Sequence, residues 1–190
     1  MFGKRKRNKD EAQEALLEQA QTELIGIFEK MPYEVPLVLF TSPAKNEVFN
    51  QACRQIIRAI RQFTPKITLR EYDIDHKMAA QWNVAHAPTL LYDPERYRVR
   101  WLGAPMGEEG RTLVQALIMM GYRETQLSDQ SIKVLNRIGE PRHVKVFVSL
   151  SCPYCPQQAV NALKAALAIF EDLIHPYWKT QASPPSSQQA

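Results

Sequence analysis

A chain of 190 residues, 45% of them hydrophobic, can form one large domain or two small ones, each with a core. No apolar run approaches the roughly 18 residues that a membrane span needs. The basic start leads into a Glu-rich stretch instead of an apolar signal segment, so the reading is a cytoplasmic protein with no membrane role. Much of the net charge of +4 sits in Lys4, Arg5, Lys6, Arg7 and Lys9. Without interleaved aromatics, these read as a solvated basic tail over residues 1–9 in preference to a nucleic-acid site.

In chain order, Leu16, Leu17, Ala20, Leu24, Ile27 and Phe28 recur with a helical period from about Asp10 to Met31, and Pro32 ends the helix. Leu37-Val38-Leu39-Phe40, bounded by Pro36 and Ser42, suits a buried parallel strand. A second helix starts near Asn46, with Val48, Phe49, Ala52, Ile56, Ile57, Ile60 and Phe63 inward. Ile67, Leu69 and Ile74 mark another strand, and a short helix covers about Lys77 to Trp82. Ala87-Pro88-Thr89-Leu90-Leu91-Tyr92 reads as a strand. After the turn at Asp93-Pro94-Glu95-Arg96, Tyr97, Val99 and Trp101 alternate with Arg98 and Arg100 as its hairpin partner. Leu113, Val114, Leu117 and Ile118 mark a closing helix. Residues 10–126 therefore hold one complete α/β unit.

A second, partial unit occupies residues 127–178. Ser128 caps a helix carrying Ile132, Leu135 and Ile138, which Gly139 and Pro141 stop. Val144 to Leu150 reads as a strand, and Pro156 to about Ile174 as a helix. The later strands of a complete unit are missing. Residues 179–190, rich in Ser, Pro and Gln, are expected to be disordered. The strand alternates Val144, Val146 and Val148 with Lys145, Phe147 and Ser149, and the helix offers Ala159, Val160, Leu163, Ala166, Leu167 and Phe170. One strand cannot cover that surface, and an unpaired edge invites another chain. The strand is expected to extend the first unit's sheet or to pair with a partner chain or a second copy, giving self-association through the incomplete unit.

The chemistry is carried by Cys152-Pro153-Tyr154-Cys155. Three cysteines cannot make a disulfide framework, but two of them at C-x-x-C spacing in a cytosolic α/β chain point to redox work. A strand delivers Cys152 to a helix start, where free N–H groups and the positive dipole end stabilise a thiolate. That thiolate is the attacking species in exchange, and Cys155, at the far end of the turn, resolves the mixed disulfide and closes a redox-active Cys152–Cys155 pair. Pro156 fits the first helical turn, where no N–H is needed. Pro153 stiffens the turn, and Tyr154 offers a surface to a partner. The competing reading is a zinc or iron–sulfur half-site. Only Cys53 and four histidines remain as further ligands, without ligand spacing, so no metal is expected.

Val148-Ser149-Leu150-Ser151-Cys152-Pro153-Tyr154-Cys155-Pro156 resembles the second active-site region of tandem-thioredoxin protein disulfide oxidoreductases. It is also similar to the N-terminal module of the alkyl hydroperoxide reductase flavoprotein subunit, and its CPYC is glutaredoxin-like. Gly103-Ala104-Pro105-Met106-Gly107-Glu108 resembles the loop that closes the first unit in both families. The resemblance runs from about Asp10 to Ala168. It implies an α/β, thioredoxin-like fold with one complete unit followed by an incomplete second one. It also implies a thiol-disulfide oxidoreductase that passes electrons to a peroxiredoxin or another protein disulfide client. Two departures stand out. The first unit carries Thr41-Ser42-Pro43-Ala44-Lys45 where a cysteine pair would sit and reads as redox-silent, with Pro88 matching the superfamily's cis-proline in a structural role. The cysteine-bearing unit has no such proline, Pro176 coming too early. The flavin and nicotinamide domains and any G-x-G-x-x-G are also missing, so no cofactor is expected to be bound, and electrons come from a separate reductase or glutathione.

Among other candidates, Cys53 shares the inner stripe with Phe49, Ile56 and Ile60 and reads as a buried, inert thiol. His86 reads as a surface residue, His175 as a helix C-terminal charge partner, and Asp73 and Asp75 as surface or capping carboxylates. Trp82, Tyr97 and Trp101 read as core or rim. The alternative to the enzyme is a degenerate thioredoxin-like adaptor whose first unit docks a partner.

Overall fold

The computed structural model describes residues 2–149 and 152–173, with side chains from 11 to 169 except 12, 150 and 151. Its sheet is built on β1 (Val35–Thr41), whose apolar run is covered on both faces. β1 pairs in parallel with β2 (Ile67–Asp73), Val35 lying opposite Ile67 and Thr41 opposite Asp73. On its other edge it pairs antiparallel with β3 (Thr89–Tyr92), Leu39 opposite Leu90. β3 in turn pairs antiparallel with β4 (Val99–Leu102), Leu90 opposite Trp101. The spatial order is β2-β1-β3-β4. The helices are α1 (Phe2–Lys30), α2 (Glu47–Arg61), α3 (Lys77–Gln81), α4 (Glu109–Tyr122), α5 (Asp129–Leu135) and α6 (Cys155–Leu173). Up to α4 this is the expected order of a complete unit.

Strand alternation sorts the core into two layers. Leu37, Leu39, Leu90 and Tyr92 face Cys53, Ile57 and Ile60 of α2, Leu113 and Leu117 of α4, and Phe28 at the end of α1. Val38, Phe40 and Leu91 turn the other way, onto Ala79 of α3 and Val84. The α1 end is seated tightly on α4, and a Cβ at Gly121 would run into the Met31 side chain. The Tyr122 hydroxyl donates to the Ile27 carbonyl at 3.0 Å.

Several expectations change. α1 begins at Phe2, so the basic stretch is part of a helix and the boundary near residue 10 falls inside it. Leu16 and Leu17 are exposed, because only the last turns of α1 reach the body. Val48 and Phe49, in the first turn of α2, are also exposed. Over 144–149 the expected strand does not form: the segment belongs to no sheet. A strand exists only through its ladder, and among the described residues no strand forms one with this segment; Leu150 lies outside them. Among the described residues the first unit's sheet is therefore not extended. α6 instead lays Val160, Leu163 and Leu167 into the same core as α2 and α4, which covers much of the apolar face that had seemed in surplus, although Ala166 points outward. The side chain of Phe170, and Ile174, His175, Pro176 and the 179–190 tail, lie outside the described residues.

Candidate functional site

The turn Cys152-Pro153-Tyr154-Cys155 leads into α6, with Cys155 as its first residue. The Cys152 N–H donates to the Ser149 carbonyl at 3.0 Å and the Gln158 N–H to the Tyr154 carbonyl at 3.3 Å, which closes the turn onto the first helical turn. Both thiols are free and half-buried. Tyr154 is 78% exposed beside them. Lys145, Val146, Phe147, Cys152, Tyr154, Cys155 and Gln158 line an open groove of about 440 Å³. Phe147 is 89% exposed.

The two sulfurs are not equivalent. A hydrogen bond from the Cys155 thiol, followed by the backbone N–H of Tyr154, holds the Cys152 thiol below its ordinary value, and the Cys155 N–H adds to this. The same bond raises Cys155, because losing its proton would break the donor side of the pair. Stabilising the thiolate by donors at a helix start is the physical basis of an attacking cysteine. Cys53 behaves differently. It is fully buried, donates weakly to the Gly103 carbonyl at 3.5 Å, and desolvation pushes its thiol up to about 12.

One residue at this site gave no signal in the sequence. Glu109 opens α4, is 1% exposed, and accepts from the Thr112 hydroxyl at 3.2 Å through Oε2. Its Oε1 has no partner among the described residues. Burial raises its carboxyl pKa, and its charge opposes thiolate formation at both Cys152 and Cys155. It lies well before the cysteines in the chain, and only the docking of α6 on α4 brings them together.

The first unit's loop is arranged differently. The Ala87–Pro88 peptide bond is cis, and the Asn46 side chain, at the start of α2, donates to the Ala87 carbonyl at 2.9 Å. Asn50, fully buried, donates to the carbonyls of Ser42 (2.7 Å) and Lys45 (2.9 Å). Side-chain amides thus close the loop where the first unit lacks cysteines. Pro88 lines no part of the Cys152 groove. His86 is exposed. The Asp73 carboxylate caps its own turn, accepting from the Asp75 N–H at 2.9 Å. Tyr97 is core and Trp82 and Trp101 are partly buried against it. Among the described residues no cluster of three or more His, Cys, Asp or Glu is placed to hold a metal.

The mixed parallel–antiparallel four-stranded sheet with helices packed on its faces is a thioredoxin-like fold. Comparison with known proteins agrees. The chain is 29% identical over 148 residues to the F subunit of alkyl hydroperoxide reductase from Pseudomonas aeruginosa, a match covering 75% of this chain and 26% of that protein. It therefore spans about a quarter of the curated relative's length. Among solved structures it is similar to a protein disulfide oxidoreductase from Aeropyrum pernix, with a TM-score of 0.70 at 24% identity, covering 81% of this chain and 68% of that one. It is also similar to the NTD_N/C domain of alkyl hydroperoxide reductase from Enterococcus faecalis, with a TM-score of 0.66 at 23% identity, covering 80% and 74%. No protein-family model matches.

Proposed function

We propose that the chain is a thiol-disulfide oxidoreductase acting on protein disulfides through Cys152 and Cys155. The observation that carries this reading is the hydrogen bond from the Cys155 thiol to Cys152, which makes one sulfur the thiolate and the other its proton-holding neighbour. The Cys152 thiolate attacks one sulfur of the client disulfide, forming a mixed disulfide and releasing the other client sulfur as a thiolate, which takes up a proton. Cys155 then gives up its proton and attacks Cys152. The internal Cys152–Cys155 disulfide forms, the mixed disulfide breaks, and the client leaves as a dithiol. Two electrons have passed from the protein to the client, and a separate reductase or glutathione returns them. Glu109, buried within electrostatic reach of both sulfurs, is placed to influence the second proton loss. A peroxiredoxin is a client class consistent with the similarity to the alkyl hydroperoxide reductase flavoprotein.

Insulin reduction driven by dithiothreitol tests this. The native chain should accelerate insulin precipitation, Cys152→Ser should abolish the acceleration, and Cys155→Ser should accumulate a mixed disulfide on Cys152. A native chain no faster than dithiothreitol alone refutes the enzyme. The second reading is an adaptor without catalysis, favoured by the unpaired apolar segment Val144–Val148 beside the dithiol; it gains if the native chain binds a client without turning it over.

A further inference from the structure

Whatever reacts in the groove at Cys152 must bring a sulfur, because both thiols of the turn line it. The rest of the lining is apolar or amide, from Val146, Phe147, Tyr154 and Gln158, with one charged side chain, Lys145. The buried Glu109 lines no part of it. Among the described residues Lys145 makes no ion pair, whereas Arg142 is neutralised by Glu140 at 3.0 Å. Cys152 gains a negative charge on ionising, but the Cys155 thiol and the N–H groups of Tyr154 and Cys155 already compensate it. Lys145 is therefore the charge in this groove left without a counterpart, and complementary charge sets which partner is accepted.

The apolar lining suits the same occupant. Phe147 is 89% exposed and Tyr154 78%, and large rings standing in water gain by being covered. Phe147 precedes the turn and Tyr154 lies inside it, yet both line one groove. A single chain segment passing Cys152 covers both. The volume of about 440 Å³ falls in the range of small-ligand sites, about 300–1,000 Å³. It suits a cysteine with its sequence neighbours better than a broad folded surface.

We propose that the groove selects protein clients whose reacting cysteine has acidic neighbours, Lys145 reading their charge while Phe147 and Tyr154 cover the apolar part of the same segment. This rests on the dithiol reading of Cys152 and Cys155. Lys145 acts on the client and not on the reacting sulfurs, being absent from the groups that set the ionisation of either thiol. An exposed ion pair is weak and screened by salt, so the preference is modest and fades as salt rises.

Single-cysteine peptides, each disulfide-bonded to thionitrobenzoate and flanked by Glu, Gln or Lys, test this on the full reduced chain. The Cys152 thiolate attacks the peptide sulfur, the peptide–aryl disulfide breaks, and the coloured aryl thiolate leaves with the electron pair. Cys155 then loses its proton and attacks Cys152, and the peptide leaves as a thiolate that takes up a proton. Dividing each rate by that with a small neutral thiol cancels the peptides' own reactivity. At low salt the Glu peptide should react about two- to five-fold faster than the Gln peptide, and the Lys peptide more slowly. At about 1 M salt, where the Debye length falls to about 3 Å, the rates should converge. Lys145→Gln should abolish the preference without moving the pH profile of iodoacetamide alkylation at Cys152, and Lys145→Glu should reverse it. Phe147→Ala should slow all the peptides alike and keep their order. Equal rates in the native chain overturn the proposal and leave the dithiol reading standing. So does an order that survives Lys145→Glu, or an alkylation profile that moves in Lys145→Gln, which would make Lys145 a partner of the thiolate. A native chain inert toward every peptide, the Gln one included, overturns the dithiol reading and the proposal together.

Discussion

Leu167→Ala is the sharpest test of how α6 is held. Leu167 is 3% exposed and Leu163, one turn earlier, 8%, and both sit in the core that also contains Leu113 and Leu117 of α4. Truncating a buried leucine loses its transfer free energy and leaves a cavity that relaxes only in part, about 2–5 kcal/mol in total. Native domains are stable by only about 5–15 kcal/mol, so this is a large share. A chain of this size loses roughly 2–4 °C in Tm per kcal/mol, so a mid-range loss of about 3 kcal/mol is a fall of about 10 °C. Val144→Ala serves as the control. Val144 is 72% exposed, and its truncation should stay within about 0.5 kcal/mol. Urea titration followed by circular dichroism gives both values, and the Leu167 variant should shift the midpoint with one cooperative transition and an unchanged slope. If the two substitutions cost the same, or if α6 melts separately from the sheet, the shared core is refuted.

Three further outcomes are expected. Iodoacetamide should label Cys152 ahead of Cys155 and at a pH below the ordinary thiol range, and Cys155→Ala should move that reactivity to higher pH by removing the donated hydrogen bond; earlier labelling of Cys155 reverses the two roles. Glu109 has a raised carboxyl pKa in the folded state, so between its ordinary value and the raised one the native state binds more protons than the unfolded state. Stability must therefore fall as pH rises through that window; Glu109→Gln should flatten this slope in denaturant titrations across pH, and identical slopes would show that its ionisation costs nothing. A chain ending at Gln126 keeps α1 to α4 and the whole sheet and should unfold cooperatively on heating, but at lower temperature than the full chain because α4 loses the cover of α6; a molten product would show that α6 completes the core.

Much of this protein is legible in local sequence. The order of elements through α4 follows from apolar periods and their Pro and Gly punctuation, because helix and strand spacings are set within a few residues. Ser128 announced its cap, and the Ser131 N–H does donate to it. Cys152-Pro153-Tyr154-Cys155 was legible as a candidate dithiol, since its spacing ahead of an amphipathic helix is a local property, and the structure sets it at the start of α6. What depends on partners distant in the chain was not legible. Val144 to Ser149 has the composition of a strand, but a ladder needs a neighbour, and periodicity says nothing about whether one is present. Leu16 and Leu17 have the period of a buried face, yet burial depends on how far the body extends along α1. Glu109 is an ordinary helix-start glutamate in the sequence. Its burial, its raised pKa and its electrostatic reach to both sulfurs depend on how α4 and α6 pack, so the sequence marked the candidate dithiol while the tertiary structure alone decided which carboxylate acts on it.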